Sequence, residues 1–120
     1  MSTSLVVVRA FPHHVADSHD PWQFHYRIEI ENQGPLSVQL LRRRWLITDA
    51  NGKRVEVEGA GVVGEQPIIA PGDTFSYQSG VPLETPLGVM EGCYVMQDEE
   101  GEEFTVPISP FTLAVPNIIN

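Results

Sequence analysis

Near the middle of the chain, apolar and polar residues alternate on both sides of an Asn-Gly dipeptide. Residues 38–49 have the pattern of one strand and residues 53–58 that of a second, with Asn51 and Gly52 between them. Asn-Gly is preferred in tight hairpin turns because both residues tolerate positive φ angles. The sequence therefore predicts a β-hairpin, which places this part of the chain in an antiparallel sheet.

The hydrophobic pattern selects the register of this hairpin. A two-residue loop would place Trp45 opposite Glu58, an apolar ring against an acid. A three-residue loop over residues 50–52, with Gly52 left-handed at a bulge, instead pairs Trp45 with Val57. A slip of one residue would reverse every face, so we expect the second register. Its predicted cross-strand pairs are Ile47–Val55, Trp45–Val57, Arg44–Glu58 and Thr48–Arg54, with Arg43 roughly opposite Gly59.

Other segments of the chain also have the two-residue period of a strand. Residues 23–31 alternate most regularly, with Tyr26 and its apolar neighbours on one face. Residues 89–97 are apolar on both faces, which favours a central position in a sheet. Pro107 and Pro110 interrupt the last strand and indicate a sheet edge or a strand switch. The remaining predicted strands are residues 5–8, 74–79, 104–108 and 111–115; residues 68–69 are a short apolar pair, and residues 11–22 and 80–88 are predicted loops.

About seven short strands separated by turns predict an all-β fold, an immunoglobulin-like antiparallel β-sandwich. No helical period is sustained anywhere in the 120 residues. The cysteine–tryptophan–cysteine signature of antibody domains is absent, so only the architecture is inferred. Because there is neither an internal repeat nor a linker, we expect a single domain over residues 1–120.

Charge and composition restrict the classes of partner. The chain carries 16 acidic and 7 basic residues, a formal net charge of −9, which disfavours nucleic-acid binding through a basic face. The single Cys93 allows no internal disulfide and favours a reducing compartment. The N-terminus lacks a signal-peptide pattern, and no segment approaches the roughly 18 apolar residues of a membrane span. We expect a cytoplasmic protein without a membrane partner.

The basic residues are concentrated in the predicted hairpin. Strand alternation places Arg42 and Arg44 on the face opposite to Arg43. Pairing with Glu58 accounts for Arg44, whereas Arg43 shares the face of Trp45. For Arg43 we weigh an aromatic stack or a structural ion pair against a ligand contact. The basic residues of this local cationic patch are Arg42, Arg43, Arg44, Lys53 and Arg54.

Residues 59–64, GAGVVG, match the glycine pattern of dinucleotide-binding loops through Gly59, Gly61 and Gly64. In Rossmann folds a helix begins inside this motif and faces the pyrophosphate. Here residues 65–67, Glu-Gln-Pro, follow, and no helical pattern begins. Two interpretations stay open: glycines that permit a bend between sheets, or backbone N–H groups that bind an anion together with Arg43.

Three groups of residues have metal-binding side chains without a metal-binding pattern. The loop at residues 13–20 matches no closed zinc spacing, and the acidic residues 98–103 lack the spacing of a calcium loop. Cys93 points away from Met90 and Met96 in a strand, which favours core packing over a soft-metal site. No nucleophile–base pair is visible. We therefore expect no catalytic residue, no bound metal and no cofactor. The loop residues concerned are His13, His14, Asp17, His19 and Asp20.

Three stretches of the chain resemble the ApaG family, also called CorD. They are SVQLLRRRWLITDANGKRVEVEGAGVVGEQPIIAPGDTFSYQSG, TPLGVMEGCYVM and FTVPISPFTLAVP, and the resemblance extends from about Val6 to Pro116. The chain departs from the family's glycine loop at Ala60. The resemblance implies a fibronectin-III- or immunoglobulin-like sandwich in a bacterial cytoplasmic protein. It also implies a link to cobalt resistance and magnesium efflux, from which the family takes its name, and it supplies no catalytic residues.

A domain similar to ApaG forms the C-terminal part of some eukaryotic F-box proteins, which implies protein recognition. We therefore expect a non-enzymatic module for protein interaction or ligand sensing, with an unidentified protein partner. The alternative is binding of phosphate, pyrophosphate or a nucleotide at Gly59, Gly61, Gly64 and Arg43. Direct binding of Co²⁺ or Mg²⁺ is a third, weaker hypothesis.

Overall fold

The computed structural model describes residues 5–116, and most of them lie in eight β-strands. A sheet of three strands has the order β1-β2-β6, and a sheet of five has the order β4-β3-β7-β8, with β5 also pairing with β3. All of these pairings are antiparallel, and the two sheets enclose one apolar core. The predicted β-sandwich is therefore confirmed. The strands are β1 (Val6–His14), β2 (Trp22–Asn32), β3 (Val38–Asp49), β4 (Arg54–Ala60), β5 (Ile68–Ile69), β6 (Thr74–Leu83), β7 (Leu87–Asp98) and β8 (Glu103–Ala114).

The predicted hairpin register is confirmed residue by residue. Trp45 lies opposite Val57 and Arg43 lies opposite Gly59. Gly52 has a φ of 86°, the left-handed conformation expected at the turn. The Asp49 carboxylate accepts N–H hydrogen bonds from residues 51 and 53, which fixes the turn locally. The second strand of the hairpin extends to Ala60, so the start of the glycine motif belongs to β4.

Three strands are longer than the sequence predicts, and each contains proline. β1 continues through Pro12 to His14, β6 continues through Pro82, and β8 passes Pro107 and Pro110 without interruption. The predicted loops at residues 11–22 and 80–88 are therefore confirmed only over residues 15–21 and 84–86. In β8 the predicted break is a bulge beside Pro110, and the predicted edge position is confirmed. All three strands lie at sheet edges. A proline there can direct its missing donor away from the neighbouring strand, so no ladder hydrogen bond is lost.

Two β-bulges change which side chains face the core. In β3 the register moves from Leu40–Met96 to Arg42–Val95, so Leu41 is an extra residue. In β8 one extra residue lies opposite β7 between Ile108 and Phe111. Each bulge reverses the alternation of the strand that contains it. Leu40 is inward before the first bulge, and the odd-numbered residues from 43 to 47 are inward after it.

The sheets differ in width, and this leaves one strand of the larger sheet uncovered. β1 packs over β8 at one side of the sandwich. Because the smaller sheet is only three strands wide, its other edge, β6, ends before β4. Val55 shares the inward face of the hairpin with Trp45 yet is 44% exposed, whereas Trp45 is 2% exposed. The inner face of β4 is therefore partly open to solvent along the β6 edge, at Val55, while Val57 packs against the core. No helix among residues 5–116 is long and apolar enough to cross a membrane.

Candidate functional site

A polar pocket of about 330 Å³ opens where β6 faces β3 and the end of β4. Tyr26, Tyr77 and Ser79 line it from the smaller sheet, and Arg43 lines it from β3. The loop after β4 forms the remaining wall with Ala60, Val62, Val63 and Gly64. We call this the Arg43 pocket. It brings together two of the four predicted site residues, Arg43 and Gly64, while Gly59 and Gly61 shape its surroundings.

The Arg43 side chain is held in place by the backbone of the glycine loop. Its Nη1 donates hydrogen bonds to the carbonyl oxygens of Ala60, at 3.2 Å, and of Gly61, at 3.0 Å. A Cβ at position 59 would lie 2.8 Å from Nη1 and 3.0 Å from Cζ. Gly59 therefore leaves the space in which the guanidinium lies, and this fixes the direction of the charge.

The three adjacent arginines have different electrostatic partners. Arg44 Nε lies 3.0 Å from Glu58 Oε2, which confirms that predicted pair. Arg42 Nη2 lies 3.5 Å from a carboxylate oxygen of Glu103. Arg43 forms neither the ion pair nor the aromatic stack considered for it. Its partner on β4 is a glycine, and its guanidinium donates hydrogen bonds to carbonyl oxygens of the loop. Among residues 5–116, Arg43 is the member of the run without a carboxylate partner.

The glycine motif forms a short hairpin and not the start of a helix. Val62 and Glu65 exchange two backbone hydrogen bonds, at 2.8 and 2.9 Å. Between them, Val63 and Gly64 have φ angles of 42° and 82°, as in a type I′ turn. The Gly61 N–H donates to Leu41 O at 2.8 Å, so it is not available to an anion. Within the described part of the chain, the N–H groups of Val63 and Gly64 have no protein acceptor.

Tyr26 and Tyr77 line the pocket, and Tyr94 contacts Tyr77 from the core. The hydroxyl groups of Tyr77 and Tyr94 share a hydrogen bond. Burial raises the pKa of Tyr77 and that of Tyr94 above the ordinary tyrosine value. Burial also raises the pKa of Tyr26, against the opposing effects of Ser79 and of the Arg43 charge. At neutral pH the pocket therefore presents protonated hydroxyl groups beside a cation.

We expect Tyr94→Phe to lower the free energy of unfolding at pH 7 by about 1 kcal/mol, because a buried hydroxyl pair is broken. The raised pKa values also predict alkaline destabilisation. Each folded-state pKa lies above the unfolded value near 10, so stability is fully present below about pH 10 and falls as the pH rises further. Because Tyr94→Phe removes one of the titrating hydroxyl groups, the stability of this variant should decline less steeply with rising pH.

Urea unfolding between pH 7 and 11 measures both effects. Tyr77→Phe removes the same hydrogen bond from the other side and also removes a hydroxyl of raised pKa, so its stability should decline less steeply as well. If the stability of Tyr94→Phe declines with alkaline pH as steeply as that of the parent chain, burial of Tyr94 is not the cause of the decline.

The other groups with metal-binding side chain types have structural partners. His14 Nε2 lies 3.0 Å from Ser18 Oγ, and His13 packs edge-on against His25. Asp98 Oδ1 accepts N–H hydrogen bonds from residues 100 and 102, which shapes the acidic turn. Among residues 5–116, no three His, Cys, Asp or Glu side chains gather in a group that could hold a metal ion. Met90 and Met96 are buried, whereas Cys93 is only partly so, as the strand parity predicts.

Sequence patterns did not reveal the part of the pocket that comes from the smaller sheet. Tyr26 and Ser79 lie directly opposite each other across β2 and β6, 53 residues apart in sequence (79 − 26). The available signal was a hydroxyl-bearing residue on the inward face of each alternating strand. This signal predicts that Tyr26 and Tyr77 face inward. It does not predict that they lie near Arg43, because no local pattern shows which distant strands are neighbours.

Comparisons with known proteins agree with these features. A family model, described as the ApaG domain, matches residues 12–98, a range that contains every residue lining the Arg43 pocket. Protein ApaG of Vibrio vulnificus strain YJ016 is 62% identical over 97 residues, 81% of this chain and 77% of that protein. Protein ApaG of Vibrio atlanticus is 44% identical over 124 aligned positions, 100% of this chain and 98% of that protein.

A solved structure gives the same result. The crystal structure of a Bordetella pertussis protein named ApaA superposes with a TM-score of 0.90 at 42% identity, over 93% of this chain and 94% of that one. Sequence and fold therefore point to one group of proteins, and the chain belongs to the ApaG family.

Proposed function

We propose that this chain is a non-enzymatic recognition module of the cytoplasm, and that the Arg43 pocket binds an oxyanion group of its ligand. The observation that carries the proposal is the state of Arg43. Its guanidinium is half-buried at the mouth of an open pocket, and backbone carbonyls orient it without neutralising it. A guanidinium binds phosphate or carboxylate oxygens through parallel N–H donors.

The surroundings of Arg43 suit an anion better than a cation. Protonated tyrosine hydroxyls can donate to an oxygen ligand, and Ser79 adds a third hydroxyl group. The whole chain carries a net charge of −9, so an anion would be repelled by most of the surface and attracted at this pocket. A volume of about 330 Å³ is at the small end of ligand pockets, which fits a single anionic group.

The conformation of Val63 supports a binding role for the pocket rim. Val63 is β-branched, has a φ of 42° and is 55% exposed. A branched side chain in this left-handed region is uncommon because its Cβ crowds the backbone. Such strained residues cluster at binding sites, where the surrounding structure maintains them. An exposed valine at the rim also supplies an apolar surface for the body of a ligand.

We expect Arg43→Ala to weaken phosphate or pyrophosphate binding by about tenfold or more, the usual effect of losing a charged hydrogen-bonding group. Titration calorimetry at low salt measures the dissociation constant. Arg43→Lys should recover only part of the affinity, because an ammonium lacks the planar fork. Acetate and pyrophosphate titrations distinguish a carboxylate ligand from a phosphate ligand.

Arg44→Ala is the matched control, since Arg44 lies on the opposite face and pairs with Glu58. Circular dichroism verifies that each variant is folded. If Arg43→Ala binds every tested anion as tightly as Arg44→Ala does, the Arg43 pocket is not an anion site.

We also propose that the link to cobalt resistance and magnesium efflux lies with the protein partner of this module. The positive charge of the Arg43 pocket opposes binding of a divalent cation there. The same calorimetric titration with Co²⁺ and Mg²⁺ tests this assignment. Heat of specific binding at micromolar metal concentration would place the cation on this chain and contradict the proposal.

A further inference from the structure

We infer that an extended segment of a partner protein binds along the free edge of β6, as a fourth strand of the smaller sheet, and covers the inner face of β4. We call this surface the open-edge groove; it comprises the free edge of β6 and the inner face of β4. The inference rests on the proposed function only for the acidic end of the segment, which would lie in the Arg43 pocket.

The open-edge groove has a depression at each end. At one end is the Arg43 pocket. At the other is a depression of about 310 Å³, whose apolar lining includes Ile47, Val55 and Leu83. Its charged lining residues are Asp49 and the ion-paired Lys53 and Glu84. Both depressions draw on β3, β4 and β6, so they lie in line along the same strands. Val57 lies between them on β4, two residues from Val55. The inner face of β4 is thus apolar, exposed at Val55 and partly covered at Val57, which packs against the core.

The unpaired backbone groups of β6 determine that an extended polypeptide can bind in the open-edge groove. β6 pairs with β2 on one side only, so its other side carries backbone groups that no strand of residues 5–116 satisfies. Proline in a strand lies where its missing N–H would point away from the ladder. By alternation from Pro82, the N–H groups of Gln78 and Gly80 point to the free edge. An extended polypeptide supplies matching donors and acceptors at this two-residue spacing.

The dimensions and charges of the open-edge groove define the segment. β4 has seven residues, so a segment of about seven residues, roughly 23 Å at 3.3 Å per residue, covers it. Alternate apolar side chains of the segment would contact Val55 and Val57. An acidic side chain or a terminal carboxylate at one end would meet Arg43. The net charge of −9 disfavours further acidic groups elsewhere in the segment.

Selection from a library of random ten-residue peptides, displayed on phage and panned against the full chain, tests the inference. Selected peptides should have apolar residues at alternate positions and an acidic residue at one end. Fluorescence anisotropy with the synthetic peptides measures affinity. We expect Val55→Asp to weaken binding at least tenfold, because a carboxylate would be buried against an apolar strand. Thr112→Asp on β8, the opposite edge of the larger sheet, is the matched control.

Hydrogen exchange locates the bound peptide. The amides of Gln78 and Gly80 should exchange more slowly on binding, whereas those of β1 and β8 should not change. Absence of selected peptides, selected peptides without the two-residue period, or undiminished binding to Val55→Asp would each overturn the inference. A concentration-dependent dimer that Val55→Asp dissociates would also overturn it, since the occupant would then be a second copy of this chain.

The two proposals can fail separately. Val55→Asp should leave phosphate binding unchanged, because Val55 does not line the Arg43 pocket. Peptide binding that depends on Val55 but not on Arg43, together with no phosphate binding by the parent chain, supports the open-edge groove and contradicts the oxyanion pocket. Phosphate binding that depends on Arg43, without any peptide binding, supports the oxyanion pocket and contradicts the open-edge groove.

Discussion

Gly92→Ala is expected to destabilise the chain by more than about 4 kcal/mol, enough to prevent folding of a marginally stable domain. Gly92 lies on β7, opposite Trp45 of β3. A Cβ at position 92 would lie 2.0 Å from the backbone oxygen of Arg44 and 3.1 Å from the Cα of Trp45. These are backbone atoms of the strand that carries the site, and they cannot rotate away as a side chain can.

The central position of β7 prevents relaxation around this clash. β7 pairs with β3 on one side and with β8 on the other, so a shift away from β3 forces β7 into β8. Glycine at such a position allows two backbones to approach closely. The expected result is a loss of the β3–β7 ladder, which would disorder Arg43 together with the core.

Urea unfolding, followed by circular dichroism, measures the effect of Gly92→Ala. The matched control is Gly80→Ala on the edge strand β6, where the new Cβ would lie 3.3 Å from His25 Cδ2 and 3.4 Å from Phe24 O. We expect that variant to lose less than about 1 kcal/mol. Equal unfolding midpoints for the two variants would contradict the close approach of β3 and β7.

Gly61→Ala is expected to lower the free energy of unfolding by about 2–4 kcal/mol and to abolish oxyanion binding. Gly61 has a φ of 61°, and a Cβ there would lie 2.0 Å from Glu65 O. That oxygen accepts the Val62 N–H that closes the loop hairpin. The clash would open the hairpin and would remove the Gly61 carbonyl from Arg43, so the wall of the pocket and its cation would both move.

The other glycines of the motif are controls for this prediction. Gly64 has a φ of 82° and open space around its missing Cβ, so Gly64→Ala should cost only the conformational penalty of about 1 kcal/mol. Gly59→Ala meets the Arg43 side chain, which can rotate, so it should weaken binding more than stability. Urea unfolding and phosphate titration measure the two effects. If Gly61→Ala and Gly64→Ala have equal stability, the contact with Glu65 does not constrain the loop.

The parts of this fold that depend on local pattern could be predicted from sequence. The register of the β3–β4 hairpin follows from apolar residues only a few positions apart and from the turn at Gly52. The central position of β7 follows from its apolar character on both faces. The continuation of β1 through Pro12 and of β6 through Pro82 could not be predicted, because proline is tolerated in a strand only at an edge position, which the tertiary fold creates.

The candidate site was predictable only in part. Strand parity correctly set Arg43 apart from Arg42 and Arg44, and the glycine motif does border it. The loop carbonyls that hold Arg43 were not foreseen, because their direction depends on the turn at Val63 and Gly64. Neither were the contributions of Tyr77 and Ser79, which reach the pocket through the packing of one sheet on the other. Packing between residues so far apart in sequence cannot be predicted from the pattern of any short segment.

The extra residue Leu41 has a consequence for how this protein family can diversify. If Leu41 took an ordinary place in the alternation instead of lying in a bulge, Arg42 and Arg44 would point into the sandwich and Arg43 out to solvent. The face on which the cation lies is thus decided by the bulge that accommodates the extra residue and not by which amino acids are present. A relative that lacks both Leu41 and the bulge should therefore keep Arg43 on the inward face, whereas a relative that keeps the residue but loses the bulge should turn Arg43 to solvent.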